Sequence, residues 1–228
     1  MSVSKDVRIM LKSRFPRAAS AYTSARQSLI GPSLATVFSA IYHTNGWQDP
    51  ETVSGRGSTL ARTRVIMAQL PILLNELHAE TLLDAACGDF NWMRNVELGK
   101  VKYIGVDIVK DLIDENSRNY TTPGRTFLMR DITQHRLPEA DVVLCRDCLI
   151  HLSFNRIHAL IKNFKRSGIT HLLCTNHISA KENIDCPDGS WRPLNLQLPP
   201  FNFPPPLKQL VEDDELEKCL ALWRLEDL

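Results

Sequence analysis

A chain of 228 residues, 43% hydrophobic and 23% charged, is long enough for one α/β domain with a sizeable core and a short extension. Its net charge of +1 supplies no general field for a polyanion, which argues against an extended nucleic-acid surface. No apolar run reaches the length of a membrane span and no signal-peptide core is visible, so the expectation is a soluble, cytoplasmic protein.

Residues 3–29 have a weak helical pattern broken at Pro16 and are rich in Lys, Arg, Ser and Ala, with Asp6 as the one acid. They read as a basic helical arm, with a transit peptide as the other reading. Residues 33–43 are a clearer helix, placing Leu34, Val37, Phe38 and Ile41 at helical spacing behind a Gly-Pro start. The turn-rich stretch NGWQDPETVSGRGST, 45–59, carries Trp47, Gly55 and Gly57 and reads either as a connector or as a flap over a ligand. A helix over 59–79, interrupted at Pro71, then leads to TLLDAACGDFN at 81–91, a short strand that ends in Asp84 and opens into Ala85, Ala86, Cys87 and Gly88.

A second strand at 103–106 ends in Asp107, about twenty residues beyond Gly88, the spacing at which nucleotide folds place a ribose-binding acid. A helix at 110–120, strands at 125–131 and 140–146, an amphipathic helix at 152–167 carrying Ile157, Leu160, Ile161 and Phe164, and a strand at 171–175 complete an alternation. Strands alternating with helices predict an α/β, doubly wound, mostly parallel sheet with helices on both faces. Right-handed crossovers then gather the strand ends, so Asp84, Asp107, Asp131, Asp147 and His177 are expected to converge on one crevice. Residues 178–205 have no periodicity and many prolines, yet WRPLNL and PFNF make them too apolar for disorder; they read as a substrate-side cover. Two further strands are expected at 207–211 and 219–225. The division expected is 1–58, a helical extension with the flap, and 59–228, the catalytic domain.

The six cysteines mostly lie in apolar runs, where a reduced thiol acts as a small hydrophobe, and the Cys145/Cys148 pair lacks the partners of a zinc site. No metal is expected.

The glycine turn has one glycine and two carboxylates, Asp84 and Asp89, where a dinucleotide fingerprint would need three glycines to hold a pyrophosphate. Carboxylates repel phosphate and attract cations. The implied ligand carries a ribose and positive charge, which suits S-adenosylmethionine, with its sulfonium and ammonium, better than a nicotinamide dinucleotide. In D-A-A-C-G and the later acid of GVDI the chain resembles the class I S-adenosylmethionine-dependent methyltransferases, from residue 81 to the end. It departs from them at Phe90 and Asn91, where many members have another glycine.

The resemblance implies a Rossmann-like sheet closed by a C-terminal antiparallel hairpin. It implies that Asp84, Ala86 and Gly88 hold the methionine part, Asp107 the ribose diol, Ile108 the adenine flank, and Asp131 with Ile132 the adenine edge. Arg146 matches a position whose backbone carbonyl faces the methionine ammonium. The segments SGRGST, CGDFNWM, RDCLIHLS and WRPLNL look more loosely like small methyltransferases that act on sugar hydroxyls alongside glycan-building enzymes.

A hydroxyl acceptor needs a base, and CRDCLIHLS supplies His151, with Asp147 four residues earlier as an orienting partner and His177 as the second candidate. Trp47, Asp89, Trp92, His177, Trp191 and Arg192 are the expected acceptor-side residues, the acceptor being a sugar or another small molecule; the tryptophans would serve a sugar face or an aromatic ring equally. A nitrogen or aromatic-hydroxyl acceptor is the nearest alternative. A nicotinamide-dependent oxidoreductase and a non-catalytic cofactor-binding module are the readings from other classes.

Overall fold

The computed structural model describes residues 32–213 and 218–228; the basic arm read at 3–29 lies outside them. Helix α1 (Leu34–His43) starts where Ser33 accepts a hydrogen bond from the Thr36 amide, a side-chain cap on an otherwise unpaired donor. Helix α2 (Leu60–Glu76) runs through Pro71 without the break expected there. Proline removes one donor from a helix interior. Here the loss is offset by packing, since Ile66, Leu70, Leu73 and Leu74 on both sides of it are buried in one stripe. Truncating Leu70 to alanine would cost about 2–5 kcal/mol, so the buried stripe outweighs one missing bond.

The strands are β1 (Thr81–Ala85), β2 (Lys102–Asp107), β3 (Arg125–Met129), β4 (Val142–Cys145), β5 (His171–His177), β6 (Lys208–Asp213) and β7 (Lys218–Arg224). Helix α3 (Lys110–Tyr120) links β2 to β3, and α4 (Phe154–Arg166) links β4 to β5. They form a seven-stranded sheet in the order β3-β2-β1-β4-β5-β7-β6. β1 to β5 are parallel, and β7 returns antiparallel to β5 with β6 antiparallel to it. This is the Rossmann-like sheet with an antiparallel C-terminal hairpin.

β3 and β4 are shorter than expected, because Asp131 turns into its own hydrogen-bonded bend and Arg146 leaves the ladder for an ion pair. β5 is longer and takes in His177, which pairs with Lys218 on β7.

Alternation along β1 sorts the core. Leu83 and Ala85 join Val143, Cys145, Ile157, Leu160, Phe164 and Trp223 on one face, whereas Leu82 joins Leu144, Tyr103, Ile66 and Leu70 on the other. Helices thus cover both faces of a parallel sheet, as its continuous apolar strands require. Residues 178–205 have no helix or strand, yet Leu194 and Leu196 are fully buried and Trp223 Nε1 donates to the Pro204 carbonyl at 2.8 Å. No helix among the described residues is long and apolar enough to cross a membrane.

Candidate active site

The turn after β1 has no room for a side chain at Gly88. Its φ is +57°, and a Cβ there would stand 2.2 Å from Ser54 Oγ in the loop at 45–59. The Gly88 amide donates to Asp107 Oδ2 at 3.1 Å, Val109 donates to Asp107 Oδ1 at 3.0 Å, and Asn116 Nδ2 donates to the Gly88 carbonyl at 2.8 Å. Burial raises the Asp107 pKa, and these amide donors oppose the rise. Phe90, where the resemblance leads one to look for glycine, takes the left-handed conformation anyway, with φ of +60°. Its ring is buried against Tyr103, Tyr120 and Phe127, and that packing holds a backbone state a non-glycine residue resists.

A cavity of about 650 Å³ opens from this turn along the C-terminal edge of the parallel strands. Ala86, Gly88, Asp107, Ile108, Asp131, Ile132 and Arg146 line it, as do Trp47, Asp147, His151, His177 and Trp191. The residue set at the turn fits a nucleoside: an acid at the end of β2 for a diol, and Ile108 and Ile132 for an apolar base. Asp131 is largely self-contained: burial would raise its pKa, but bonds from the Thr133 hydroxyl at 2.6 Å, from Gln134 and from the Thr133 amide at 2.9 Å hold it below the usual range.

The other end of the cavity is built from loops. A 3₁₀ turn at Leu149–His151 presents His151, whose ring lies 4.4 Å from that of Trp47. Its Nδ1 is 2.8 Å from the Ser190 carbonyl, and because a carbonyl only accepts, Nδ1 carries the proton and Nε2 keeps a lone pair. Burial lowers the His151 pKa below that of a free histidine. The ring is therefore neutral at pH 7.

Asp147 does not orient it. Burial would raise the Asp147 pKa, but Arg146 at 3.3 Å, Lys218 at 2.7 Å and the Thr175 hydroxyl at 3.1 Å commit the carboxylate and hold it far below the usual range. The Arg146 side chain meanwhile bonds Glu212 Oε1 at 2.6 Å and the Gly57 carbonyl at 2.8 Å. The register of β6 against β7 shifts between Val211 and Asp213, which leaves Glu212 as the extra residue of a bulge that turns it toward Arg146. Sequence reading missed Glu212, Lys218, Ser190 and Thr175. One signal was available: Lys218 opens the otherwise apolar strand KCLALWR, and a cation 9% exposed there requires partners.

Four residues expected at the site lie away from the cavity wall. Asp84 sits on the other face of β1, where the Tyr103 hydroxyl donates to it at 2.8 Å; burial pushes its pKa up to about 7, the Tyr103 bond opposing. Asp89 accepts from the Thr52 and Ser54 hydroxyls at 2.7 and 2.9 Å and from the Val53 amide at 3.2 Å, tying down the loop at 45–59. Trp92 is buried, with the Arg146 guanidinium 5.6 Å from its ring centre. Arg192 spends its guanidinium on the Leu149 and Leu152 carbonyls at 2.9 and 2.6 Å, closing the turn that carries His151. Trp191, next to it, is 60% exposed at the cavity mouth.

Residues 83–168, which run from β1 through α4 and include Gly88, Asp107, Asp131, Asp147 and His151, match the family model of a methyltransferase domain. That segment carries a methyltransferase domain. No curated protein sequence matches the chain. Its fold is similar to human N-acetylserotonin methyltransferase solved with S-adenosylmethionine (13% identity, TM-score 0.58, covering 95% of this chain and 69% of that one). It is similar also to the N-methyltransferase NodS from Bradyrhizobium japonicum WM9 with S-adenosylhomocysteine (15% identity, TM-score 0.57, 80% and 97% covered). A third likeness is to the 1,6-didemethyltoxoflavin-N1-methyltransferase of Burkholderia thailandensis (15% identity, TM-score 0.57, 84% and 86% covered). The residues at the nucleoside-shaped end of the cavity fit S-adenosylmethionine.

Proposed function

We propose that the protein methylates a hydroxyl on a sugar or another small ring-bearing acceptor, with His151 as the general base. The observation that carries this reading is the Ser190 carbonyl on His151 Nδ1, which leaves Nε2 unprotonated on a residue that lines the cavity. In this reading Ala86, Gly88, Asp107, Ile108 and Ile132 hold the cofactor, and Arg146 and Asp147 brace the floor between the two ends. When bound, S-adenosylmethionine supplies a methyl group activated by its sulfonium, so the protein's task is to align the acceptor and remove its proton. His151 Nε2 would take the acceptor's proton as its oxygen gained the methyl group and the carbon–sulfur bond broke, the cofactor's sulfur leaving as a neutral thioether. Trp47 and Trp191 supply flat apolar faces for a ring, and the loop at 45–59 is a flap that excludes water from both reactants.

A nitrogen acceptor is the second reading, favoured by two of the three similar structures, which are named as N-methyltransferases. Incubation with methyl-labelled S-adenosylmethionine and pools of glycosides, phenols and amines separates the two. Label recovered in methyl ethers supports the first. Label recovered in methylamines alone overturns it.

A further inference from the structure

Two imidazoles face the loop-built end of the cavity, and the chain fixes them in opposite tautomers. The Ser190 carbonyl puts a proton on His151 Nδ1 and leaves Nε2 bare. The Leu194 amide can only donate, so its 3.4 Å bond to His177 Nδ1 leaves that nitrogen unprotonated and puts the proton of the neutral ring on Nε2. The His177 amide donates in return to the Leu194 carbonyl at 2.8 Å, so the residue is pinned to the cover loop through ring and backbone. One stretch, 190–194, thus sets both rings, and Trp191 between the two anchor points stands edge-on to His177 with ring centres 6.3 Å apart. Burial, with Lys218 nearby, lowers the His177 pKa and keeps the ring neutral. Lys218 and Asp147 satisfy one another at 2.7 Å, and among the described residues neither imidazole Nε2 has a hydrogen-bond partner.

We propose that His177 Nε2–H is a specificity-determining donor that selects acceptors bearing a second oxygen on the carbon next to the reacting hydroxyl; this rests on the reading of His151 as the base. The reacting hydroxyl donates to His151 Nε2. A neighbouring hydroxyl, ether or carbonyl oxygen accepts from His177 Nε2. The pair reads a vicinal diol or a hydroxyl beside an oxygen substituent, whereas an isolated hydroxyl leaves a 5%-exposed residue with an unmatched N–H.

Nitrogen-15 NMR of the histidines, in the full chain with S-adenosylhomocysteine at neutral pH, reads the tautomers without any turnover. The expected result is Nδ1–H for His151 and Nε2–H for His177. Nδ1–H at His177 overturns this inference and leaves the base standing, whereas Nε2–H at His151 overturns the base itself.

Titration of the same complex with catechol and with phenol adds the ligand side. Wild type should hold catechol roughly three- to tenfold tighter, the scale of one buried hydrogen bond. His177→Asn keeps an oxygen for the Leu194 amide but loses the distal donor, and should erase the preference. His177→Gln carries a distal donor and should restore it. Equal affinities in wild type, no measurable catechol binding, or an undiminished preference in His177→Asn would each overturn the proposal.

Discussion

At one end of the cavity the ligand-facing groups belong to strand ends and the tight turns that leave them; at the other they belong to two loops, 45–59 and 178–205, that meet over the sheet. The first end is set by local chemistry. Gly88, Asp107 and Val109 are joined by amide-to-carboxylate bonds across two neighbouring parallel strands, so the sheet register alone brings them together. The second is set by long-range packing, in which Ser190, Arg192 and Leu194 fasten His151 and His177 from about twenty to forty positions away in the chain. On the proposed reading the difference separates binding from chemistry: the sheet edge would accept the cofactor, and the loops would decide what it meets.

Four variants or titrations test that division, from the largest effect to the smallest. His151→Ala should lower single-turnover rate by roughly 10²–10⁴-fold, the contribution of a positioned base, while calorimetric affinity for S-adenosylmethionine stays near wild type. A normal rate with a lowered melting point would pass the proton to another group and place His151 among the groups that merely shape the turn.

Asp107→Ala acts on the opposite end. Loss of a carboxylate that binds a diol costs about 1.5–3 kcal/mol, so cofactor affinity should fall by roughly one to two orders of magnitude. Unchanged calorimetric affinity in the folded variant would remove Asp107 from the cofactor site.

The pH profile reports the loop end alone. Only neutral imidazole accepts a proton, and burial has lowered the His151 pKa, so the rate should be level through neutrality and fall only below the usual histidine range. A rate still climbing above neutral pH would contradict a lowered pKa.

The smallest effect on activity belongs to Asp84, which lies at neither end. Its pKa is raised from 3.8 to about 7, so between those values the folded state holds a proton that the unfolded state has released. Stability from this group is present in acid and lost as pH rises toward 7. Asp84→Asn should remove that slope, giving a melting-temperature advantage over wild type that grows from pH 5 to pH 8, with turnover unaffected. An advantage that shrinks with pH would mean the carboxylate is ionised at little cost.

The same division governs how much could be read from the chain. Strand and helix order followed from apolar alternation and from punctuation by Gly88 and the strand-end acids, because each of those signals acts within a few residues. Asp107 was legible for that reason. Asp84 was misplaced because a strand of period two sends Leu83 and Asp84 to opposite faces, and position at a strand end does not say which face is wet. Asp147 looked like a partner for His151 at helical spacing, but residues 149–151 form a 3₁₀ turn and two cations compete for the carboxylate. Pro71 looked like a break because its local penalty is visible in sequence, whereas the packing that outweighs it is not. Arg192 and Asp89 were expected on the acceptor side, yet Arg192 is spent on two backbone carbonyls and Asp89 on two hydroxyls and an amide of the 45–59 loop, partners that sit far away in sequence and leave no local mark.

Asp89 carries one more consequence. It directly follows the glycine of the cofactor turn, yet its carboxylate grips Thr52, Val53 and Ser54, and two residues on Asn91 Nδ2 donates to Glu51 at 2.8 Å. Flap and turn are therefore stitched into one unit despite the 17-residue helix between them. An engineer who grafts a foreign flap onto this sheet to change the acceptor would have to graft residues 89–91 with it, or the new loop would arrive without its fastenings.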